Sequence, residues 1–529
     1  MHRTLNGNAG WQQGWPNMSS ATDTSGFGST TSPVLRVALI QSALVFVVAA
    51  LWQQRWGTIV DTSWLITEAE RVLNGERLYV DVIDNNPPFS IWLFLPAIML
   101  SRWVGFAPEI GMYLYTCLAV IVGLGLSALI VRRAGFAENH ALLRLLPLFV
   151  ALFMIFPGNA FTERDQVGTV LFLPLLALMA LRADTTRRVA PGIALIVGAG
   201  LCGSVLVLVK AYYVVAYIAP ALYVAWRRRN PWLLLAPENC IVGTIGVVYV
   251  ALVFLLTPEF IRDLLPQVVD VYMKMGDPVR VALSYGPLYL LIVLLLRVVA
   301  PKAPVTPLCA VTLLASLAAV APLIYQGKGW AYHAFAAISL AFVAVLCRIA
   351  ASSGWRYNRE TLGRATLCAI VVAFAWLPFL PTQKPADAFV AAVKAASKGE
   401  PTLGVIGSDI AAAHPLARIV GARFLSANNS DWFGALAYVL AEEASAKGEV
   451  ADATRYQKRS DAYLDAKYAE FASYNYDLIV IQQDEPLWTD HVLGQPRFAA
   501  VLSAYHPVAK DERFTVYGRN ARTDNSSAR

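Results

Sequence analysis

Charged side chains stand between two long apolar runs in the middle of the sequence. The stretch TERDQ places Glu163, Arg164 and Asp165 side by side, with LLPLFVALFMIF before it and VGTVLFLPLLALMAL after it. An ionisable residue at the depth of a bilayer is a functional candidate by default, because burying its charge costs free energy. A solvated turn between two helices is the structural alternative, and it needs no chemistry.

Two further cations follow apolar sequence. Lys210 has apolar residues on both sides in LCGSVLVLVKAYYVV, and Lys328 stands between two glycines in YQGKGWAYH. Flanking glycines let the backbone and the ammonium group approach a phosphate closely. Lys210 could instead extend to the membrane surface as a snorkelling lysine, and Tyr332 could belong to an interfacial aromatic belt. Such a belt does not account for Lys328 or His333.

Carboxylates also occur in the segment after the first apolar run. Asp61, Asp84 and Asn85 lie in VDTSWLITEAERVLNGERLYVDVIDNNPPFSIW. Residues 62–74 have helical spacing and one apolar side, which predicts a helix along the membrane surface that begins near Asp61. A carboxylate at a helix start accepts backbone N–H bonds, so N-capping is the structural alternative for Asp61.

Carboxylates beside cations are suited to the displacement of a phosphate leaving group. A carboxylate can act as general base on an attacking hydroxyl, while cations hold the departing phosphate and offset its growing charge. A channel would more typically repeat one type of charge in rings. The candidate residues for this chemistry are Asp61, Glu163, Arg164, Asp165, Lys210, Lys328 and His333.

The composition identifies the elements that must position these residues. The chain has 529 residues, of which 57% are hydrophobic and 15% charged, whereas soluble domains average about 25% charged residues. Apolar stretches close to the ~20 residues that cross a hydrocarbon core recur along the sequence, so we predict a mainly α-helical, polytopic membrane protein.

The six cysteines show no metal-site spacing. The net charge of +7 lies in short loops and indicates topology rather than nucleic-acid binding.

Eleven apolar runs predict membrane-spanning helices, at 36–53, 109–131, 143–157, 167–181, 189–209, 212–226, 238–257, 285–300, 304–324, 332–350 and 364–380. With a cytoplasmic amino terminus, these spans place every short basic cluster on the cytoplasmic side, as the positive-inside rule requires. The clusters are Arg132/Arg133/Arg144, Arg182/Arg187/Arg188, Arg227/Arg228/Arg229, Arg297/Lys302 and Arg348/Arg356/Arg359/Arg364. A twelfth run, at 88–106, would break this pattern if it crossed. We therefore interpret it as an interfacial or re-entrant helix on the outer face.

The two ends of the chain differ from its apolar middle. Residues 1–34 are rich in Gly, Ser, Thr and Asn and predict a disordered cytoplasmic tail. Residues 35–382 form the transmembrane part. In residues 383–529, the β-like runs TLGVIG and YDLIVIQQ alternate with helical periodicity at 431–447 and 451–473. This alternation predicts a small α/β domain on the outer, periplasmic side.

The pattern resembles the GT-C superfamily of membrane glycosyltransferases, in particular the branch of the protein O-mannosyltransferases and aminoarabinose transferases. The resemblance covers about residues 35–380. It rests on Asp61 just past the first span, the amphipathic helix after it, DNNPPFSIWLF as a second juxtamembrane helix, and TERDQ in the second outer loop. The motifs LVKAYY and YQGKGWAYH and the trailing soluble domain complete it.

The resemblance implies a GT-C-like catalytic bundle and an inverting transfer from a polyprenyl-phosphate-linked sugar donor. The acceptor would be a hydroxyl of a glycan, lipid or protein at the outer face of a bacterial inner membrane. Asp61 carries over as catalytic base and Asp165 as a second active-site carboxylate. The remaining substrate-binding candidates are Arg164, Lys210 and Lys328 as phosphate ligands, with Glu163, Tyr332, His333, Asp84 and Asn85. No cofactor is certain and a divalent cation stays open; membrane lipids are partners and nucleic acid is not.

The sequence departs from the family pattern at two places. Thr62 follows Asp61 where many relatives have glutamate. Asn85 and Asn86 stand where relatives often have lysine, so the phosphate would have to be bound by other cations.

Two other classes of protein would also explain part of the pattern. A transporter or flippase of lipid-linked or anionic solutes would also fit buried charges, but the two halves of the sequence show no internal repeat. A lipid-linked glycan polymerase or ligase would use a basic outer loop, which 258–284 alone resembles.

Overall fold

The computed structural model describes residues 33–186, 191–352, 359–397 and 399–520. The predicted disordered tail lies outside these ranges up to residue 32. Residues 33 and 34, the last two of the predicted tail, belong to the first described helix. Among the basic residues predicted to face the cytoplasm, Arg187, Arg188 and Arg356 also lie outside the described residues.

Helices dominate because an apolar run can satisfy its own backbone hydrogen bonds inside a bilayer when it is helical. Up to residue 376 the helices are α1 (Pro33–Gln53), α2 (Val60–Leu73), α3 (Phe89–Trp92), α4 (Leu95–Val104), α5 (Pro108–Arg133), α6 (Asn139–Met154), α7 (Arg164–Ala183), α8 (Ile193–Val209), α9 (Val214–Arg227), α10 (Pro237–Leu256), α11 (Leu265–Asp270), α12 (Pro278–Val298), α13 (Pro307–Gln326), α14 (Ala331–Ala350) and α15 (Arg359–Trp376). Each of the eleven predicted spans overlaps one of them. Within the described ranges, eight are long and apolar enough to cross a membrane, and α6 and α8 are shorter apolar helices.

Helices α7 and α14 form the centre of the bundle. Both are almost entirely buried, whereas α1 and α10 expose most of their surface, as expected of helices that face lipid. Helix α7 packs against α5, α8, α9, α13 and α14. Because α7 begins at Arg164, the charged stretch of the sequence starts a helix in the middle of the bundle.

The apolar run at 88–106 begins and ends on the same face of the bundle. It forms two short helices, α3 and α4, and both of its flanks contact Arg418. Nη1 of Arg418 lies 2.5 Å from Oε2 of Glu70 before the run, and its Nε lies 2.6 Å from Oε1 of Glu109 after it. The backbone of Ile83, five residues before the run, donates to Ala427 of the C-terminal part. Both ends of the run therefore lie on the face that carries this part, which a single crossing of a ~30 Å hydrocarbon core does not allow. This geometry agrees with an interfacial or re-entrant segment.

The C-terminal part is a small α/β unit. Its helices are α16 (Asp387–Ala396), α17 (Leu416–Val420), α18 (Trp432–Ala446), α19 (Val450–Tyr474), α20 (Pro486–Leu493) and α21 (Pro496–Leu502), and its strands are β1 (Thr402–Ile406), β2 (Arg423–Phe424), β3 (Leu478–Gln482), β4 (Tyr505–Lys510) and β5 (Phe514–Arg519). The strand order is β2-β1-β3-β5-β4, with β1 parallel to both neighbours and β5 antiparallel to both of its neighbours. The predicted strands and helices correspond to β1, β3, α18 and α19.

Candidate active site

The start of α7 places the charged stretch in a dry interior. Glu163 is the N-cap residue, and its Oε2 accepts the backbone N–H of Arg164 at 3.0 Å. Glu163, Arg164 and Asp165 are each no more than 1% exposed. A solvated turn is therefore the wrong interpretation of this stretch. Helix α7 is buried from its first residue, Arg164. The helices that pack around α7 therefore also enclose the charged residues at its start.

Asp165 is held by two partners from the segment that follows α8. Nζ of Lys210 lies 2.9 Å from Oδ2, and the hydroxyl of Tyr213 donates to Oδ1 at 2.5 Å. Both carboxylate oxygens are thus occupied by protein groups. Removing one partner of a buried ion pair costs roughly 3–5 kcal/mol, because the other charge is left uncompensated. The geometry pairs these two predicted site residues with each other, and it adds Tyr213, which lies in the LVKAYY motif.

The guanidinium of Arg164 has unmet hydrogen-bonding capacity. Its Nε lies 3.5 Å from Oε2 of Glu163. Neither Nε nor Nη1 has a hydrogen-bond partner in the described part of the chain. Buried donors without acceptors cost free energy, and a planar guanidinium matches two oxygens of a phosphate or carboxylate at once. Arg164 is therefore suited to bind an anionic ligand.

Asp61 lies in the first turn of α2, within electrostatic reach of Arg164. The N-cap residue of α2 is Ile59, so Asp61 is not the N-cap. The residue is half-buried, and no described group hydrogen-bonds to its carboxylate. Burial raises the pKa of Asp61 to about 7, with repulsion from Glu163 adding to the rise and Arg164 opposing it. Asp61 is thus a half-buried carboxylate that can take up a proton near neutral pH.

Two buried carboxyl groups lie close to this site in the segment between α1 and α5. Glu68 and Asp84 are both buried, and Nδ2 of Asn86 donates to Oδ1 and Oδ2 of Asp84 at 3.1 and 3.0 Å. Burial raises the pKa of each group, and the charge of Asp84 raises that of Glu68 further. Glu68 was not among the predicted site residues. The sequence held a signal for it, because Glu68 follows Asp61 by two helical turns and shares its face of α2.

Lys328 lies in the turn between α13 and α14. Gly327 and Gly329 flank it with φ of +61° and +75°, a backbone conformation that glycine adopts without strain. Nζ of Lys328 donates to the carbonyl oxygen of Tyr272 at 2.5 Å and lies 3.7 Å from the centroid of the Tyr272 ring. Burial lowers the pKa of Lys328 to about 8.

Tyr272 is a second residue that the sequence did not single out. It lies between α11 and α12, in a segment whose mixed composition gave no clear pattern. Its pKa is raised by burial and by the charge of Asp61. Tyr272 therefore joins Lys328, which it contacts directly, to the surroundings of Asp61.

Tyr332 and His333 form an aromatic wall at the start of α14. Nζ of Lys210 lies 4.9 Å from the centroid of the Tyr332 ring. The ring of His333 packs edge-to-face on Tyr332 at 4.5 Å, and its Nδ1 has no partner in the described chain. The two residues thus lie beside the ion pair of Lys210 and Asp165.

The predicted site residues converge from separate segments on the face of the bundle that carries the C-terminal domain. The segments are the one between α1 and α5, the start of α7, the turn after α8, and the turn between α13 and α14. In the residues that the structure describes, no group of three or more His, Cys, Asp or Glu is arranged to hold a metal ion. The arrangement joins the half-buried carboxylate of Asp61 to Arg164, whose Nε and Nη1 lack partners among the described residues, and this suits general-base chemistry beside a bound phosphate.

Comparison with known proteins gives the fold a name. No protein-family model matches the chain, and no curated protein matches it. The structure of ArnT from Cupriavidus metallidurans bound to undecaprenyl phosphate matches with a TM-score of 0.51 at 14% identity, over 92% of this chain and 98% of that chain. The structure of the same protein in the apo state matches with a TM-score of 0.49 at 14% identity, over 91% and 97%. The chain therefore shares the fold of this ArnT structure, which is the fold that the sequence resemblance implies.

Proposed function

We propose that the protein is an inverting glycosyltransferase that moves a sugar from a polyprenyl-phosphate donor to a hydroxyl of a glycan, lipid or protein. The reaction takes place at the outer face of a bacterial inner membrane. The observation that carries this proposal is the half-buried carboxylate of Asp61, which has no hydrogen-bond partner among the described residues. It lies within electrostatic reach of Arg164, whose Nε and Nη1 also lack a hydrogen-bond partner in that part of the chain. The shared fold supports it, because the related structure holds undecaprenyl phosphate.

Asp61 acts as the general base. An acceptor hydroxyl has a pKa far above neutrality, so it needs a base within hydrogen-bonding reach as its oxygen attacks. The hydroxyl oxygen forms a bond to the anomeric carbon on the face opposite the phosphate, and Asp61 takes the hydroxyl proton. The bond between the anomeric carbon and the phosphate oxygen breaks, and its electron pair leaves with the polyprenyl phosphate. The anomeric configuration is therefore inverted.

Arg164 and Lys328 bind the leaving phosphate. The free Nε and Nη1 of Arg164 can each donate to a phosphate oxygen, and charge-assisted bonds of this kind are the strong ones. Lys328 is buried, and this burial leaves its charge poorly solvated and lowers its pKa. A phosphate beside it would restore that solvation and gain charge as the bond breaks.

Lys210 and Asp165 do not contact the reacting atoms and act through the residues that they position. Their mutual ion pair, with Tyr213, fixes the first turn of α7 from which Arg164 projects. We assign both to positioning rather than to direct contact with the donor. Their buried charges offset one another, so the pair adds little net charge to the site.

Purified protein with a polyprenyl-phosphate sugar tests the proposal. Formation of a glycosylated acceptor together with free polyprenyl phosphate is the expected result. Mass spectrometry of surface glycans and lipids from a deletion strain would identify the sugar and the acceptor together, since both change when the enzyme is missing. Solute uptake into proteoliposomes without a change in any glycan product would instead support a transporter.

A further inference from the structure

The C-terminal domain pairs with the segment between α1 and α5 through one loop. Residues 425–431 join β2 to α18. The backbone N–H of Ile83 donates to the carbonyl of Ala427 at 2.8 Å, and Nη1 of Arg71 donates to the carbonyl of Ser426 at 2.5 Å. The first bond joins two backbones and sets the register of the two segments, and the second adds a side-chain donor. The loop therefore holds the domain against the part of the chain that carries Asp61 and Asp84.

A buried ion pair holds the same loop from inside the domain. Nζ of Lys467 lies 2.6 Å from Oδ1 of Asp431, and both side chains are buried. Oδ2 of Asp431 accepts the backbone N–H of Gly407 at 3.0 Å and Nε1 of Trp488 at 3.1 Å. A carboxylate with this many donors is held in one geometry. The residue that follows it, Trp432, is fixed accordingly.

Trp432 packs with the membrane part rather than with the core of its own domain. It is 9% exposed and belongs to the large apolar core of the helical bundle. Its ring meets the ring of Tyr272 edge-to-face, with centroids 5.3 Å apart. Tyr272 in turn holds Lys328, through its carbonyl oxygen and through its ring face. A continuous chain of contacts thus runs from the C-terminal domain to a cation of the site.

We infer that the C-terminal domain contributes to donor binding. In this scheme Trp432 fixes Tyr272, and Tyr272 positions Lys328 for the donor phosphate. Trp432 is a positioning residue in this scheme. The inference rests on the proposed function, which supplies the phosphate. A cation over an aromatic face is held more strongly when water is excluded. Removing the Trp432 ring frees Tyr272 on one side and admits water to the contact with Lys328.

Binding of undecaprenyl phosphate to the full-length protein in detergent, measured by native mass spectrometry or calorimetry, tests the inference. Trp432→Ala should raise the Kd about 3- to 10-fold, because a loosened Tyr272 forfeits its cation–π contact with Lys328. Trp432→Phe keeps an aromatic ring and should stay within about twofold of wild type. Tyr438→Ala is the matched control, because Tyr438 lies on the same helix but stacks on His491 at 4.0 Å. It should bind like wild type.

A double variant separates positioning from general loosening of the fold. If Trp432 acts through Lys328, Trp432→Ala should add little to the Kd of Lys328→Ala, because coupled residues are not additive. Additive effects would overturn the inference. Tyr272→Leu keeps the backbone carbonyl but loses the ring, so it should weaken undecaprenyl phosphate binding as much as Trp432→Ala does. This variant replaces Trp432→Ala in the test if Trp432→Ala does not fold. Normal binding by Tyr272→Leu or Trp432→Ala would overturn the inference alone, whereas a wild-type protein that binds no undecaprenyl phosphate would overturn the proposed function.

Discussion

The pH dependence of kcat/KM should be a narrow bell with its maximum between about pH 7 and 8. Burial raises the pKa of Asp61 to about 7 and lowers that of Lys328 to about 8. The base form of Asp61 is present above its pKa and is lost as pH falls through about 7. The cationic form of Lys328 is present below its pKa and is lost as pH rises through about 8. The slope of kcat/KM on each side reports these groups in the free enzyme.

The steepness of the pH profile on its acid and alkaline sides follows from the ionised fractions of Asp61 and Lys328. About one tenth of Asp61 is ionised one pH unit below its pKa, so kcat/KM should fall about tenfold for each unit below pH 7. The alkaline limb should be shallower, because Arg164 keeps its charge and still holds the phosphate. The groups that act on Asp61 are Glu163 and Asp84, which raise its pKa, and Arg164 and Lys210, which lower it.

The assay is initial-rate transfer by purified protein in mixed buffer at constant ionic strength. Lys328→Met is the informative variant, because it should remove the alkaline limb and leave the acid limb in place. An acid limb near pH 4, the ordinary range of an aspartic acid, would refute the argument that burial tunes Asp61. A pH-independent rate would refute its role as base.

Three further predictions concern the cations and the topology. Lys210→Met should destabilise the protein by roughly 3–5 kcal/mol by leaving Asp165 uncompensated, and Lys210→Met combined with Asp165→Asn should recover part of that loss in thermal unfolding. Arg164→Met should raise the donor KM about tenfold or more, since charged hydrogen bonds contribute roughly 1.5–3 kcal/mol each; an unchanged KM would remove Arg164 from the phosphate site. A cysteine at the exposed Val80 should react with an impermeant thiol reagent from outside the cell, whereas one at the exposed Arg229 should react after permeabilisation, and the reverse pattern would overturn the proposed orientation.

The helices could be predicted because each apolar run has one stable form in a bilayer. Their approximate ends follow from run length, and each of the eleven predicted runs overlaps a helix. The orientation that the positive-inside rule gives stays a prediction. The strands β1 and β3 could be predicted because short buried β-like runs alternate with charged helical ones. The glycines beside Lys328 were singled out for the close approach that they allow, and both have the positive φ that glycine adopts without strain.

The partners within the site could not be predicted, because they depend on how distant segments pack. The sequence places Lys210 and Asp165 near helix ends, but only the packing of α7 against α8 brings them to 2.9 Å. The ammonium of Lys210 could pair equally well with a bound phosphate or with a buried carboxylate, so the sequence does not predict which of the two is its partner. Tyr272 and Trp432 lie 160 residues apart in sequence and meet only because the C-terminal domain folds back onto the bundle.

The turnover of Asp61→Asn tests the central claim most directly. Asparagine keeps the size of the side chain but cannot accept the hydroxyl proton, so turnover should fall about 10²-fold or more, the usual scale of general-base removal. Undecaprenyl phosphate binding should be unchanged, because the cations remain. Asp81→Asn, at an exposed carboxylate of the same segment, is the matched control and should keep full activity. Near-normal turnover of purified, folded Asp61→Asn would contradict the account and transfer the role of base to another carboxylate.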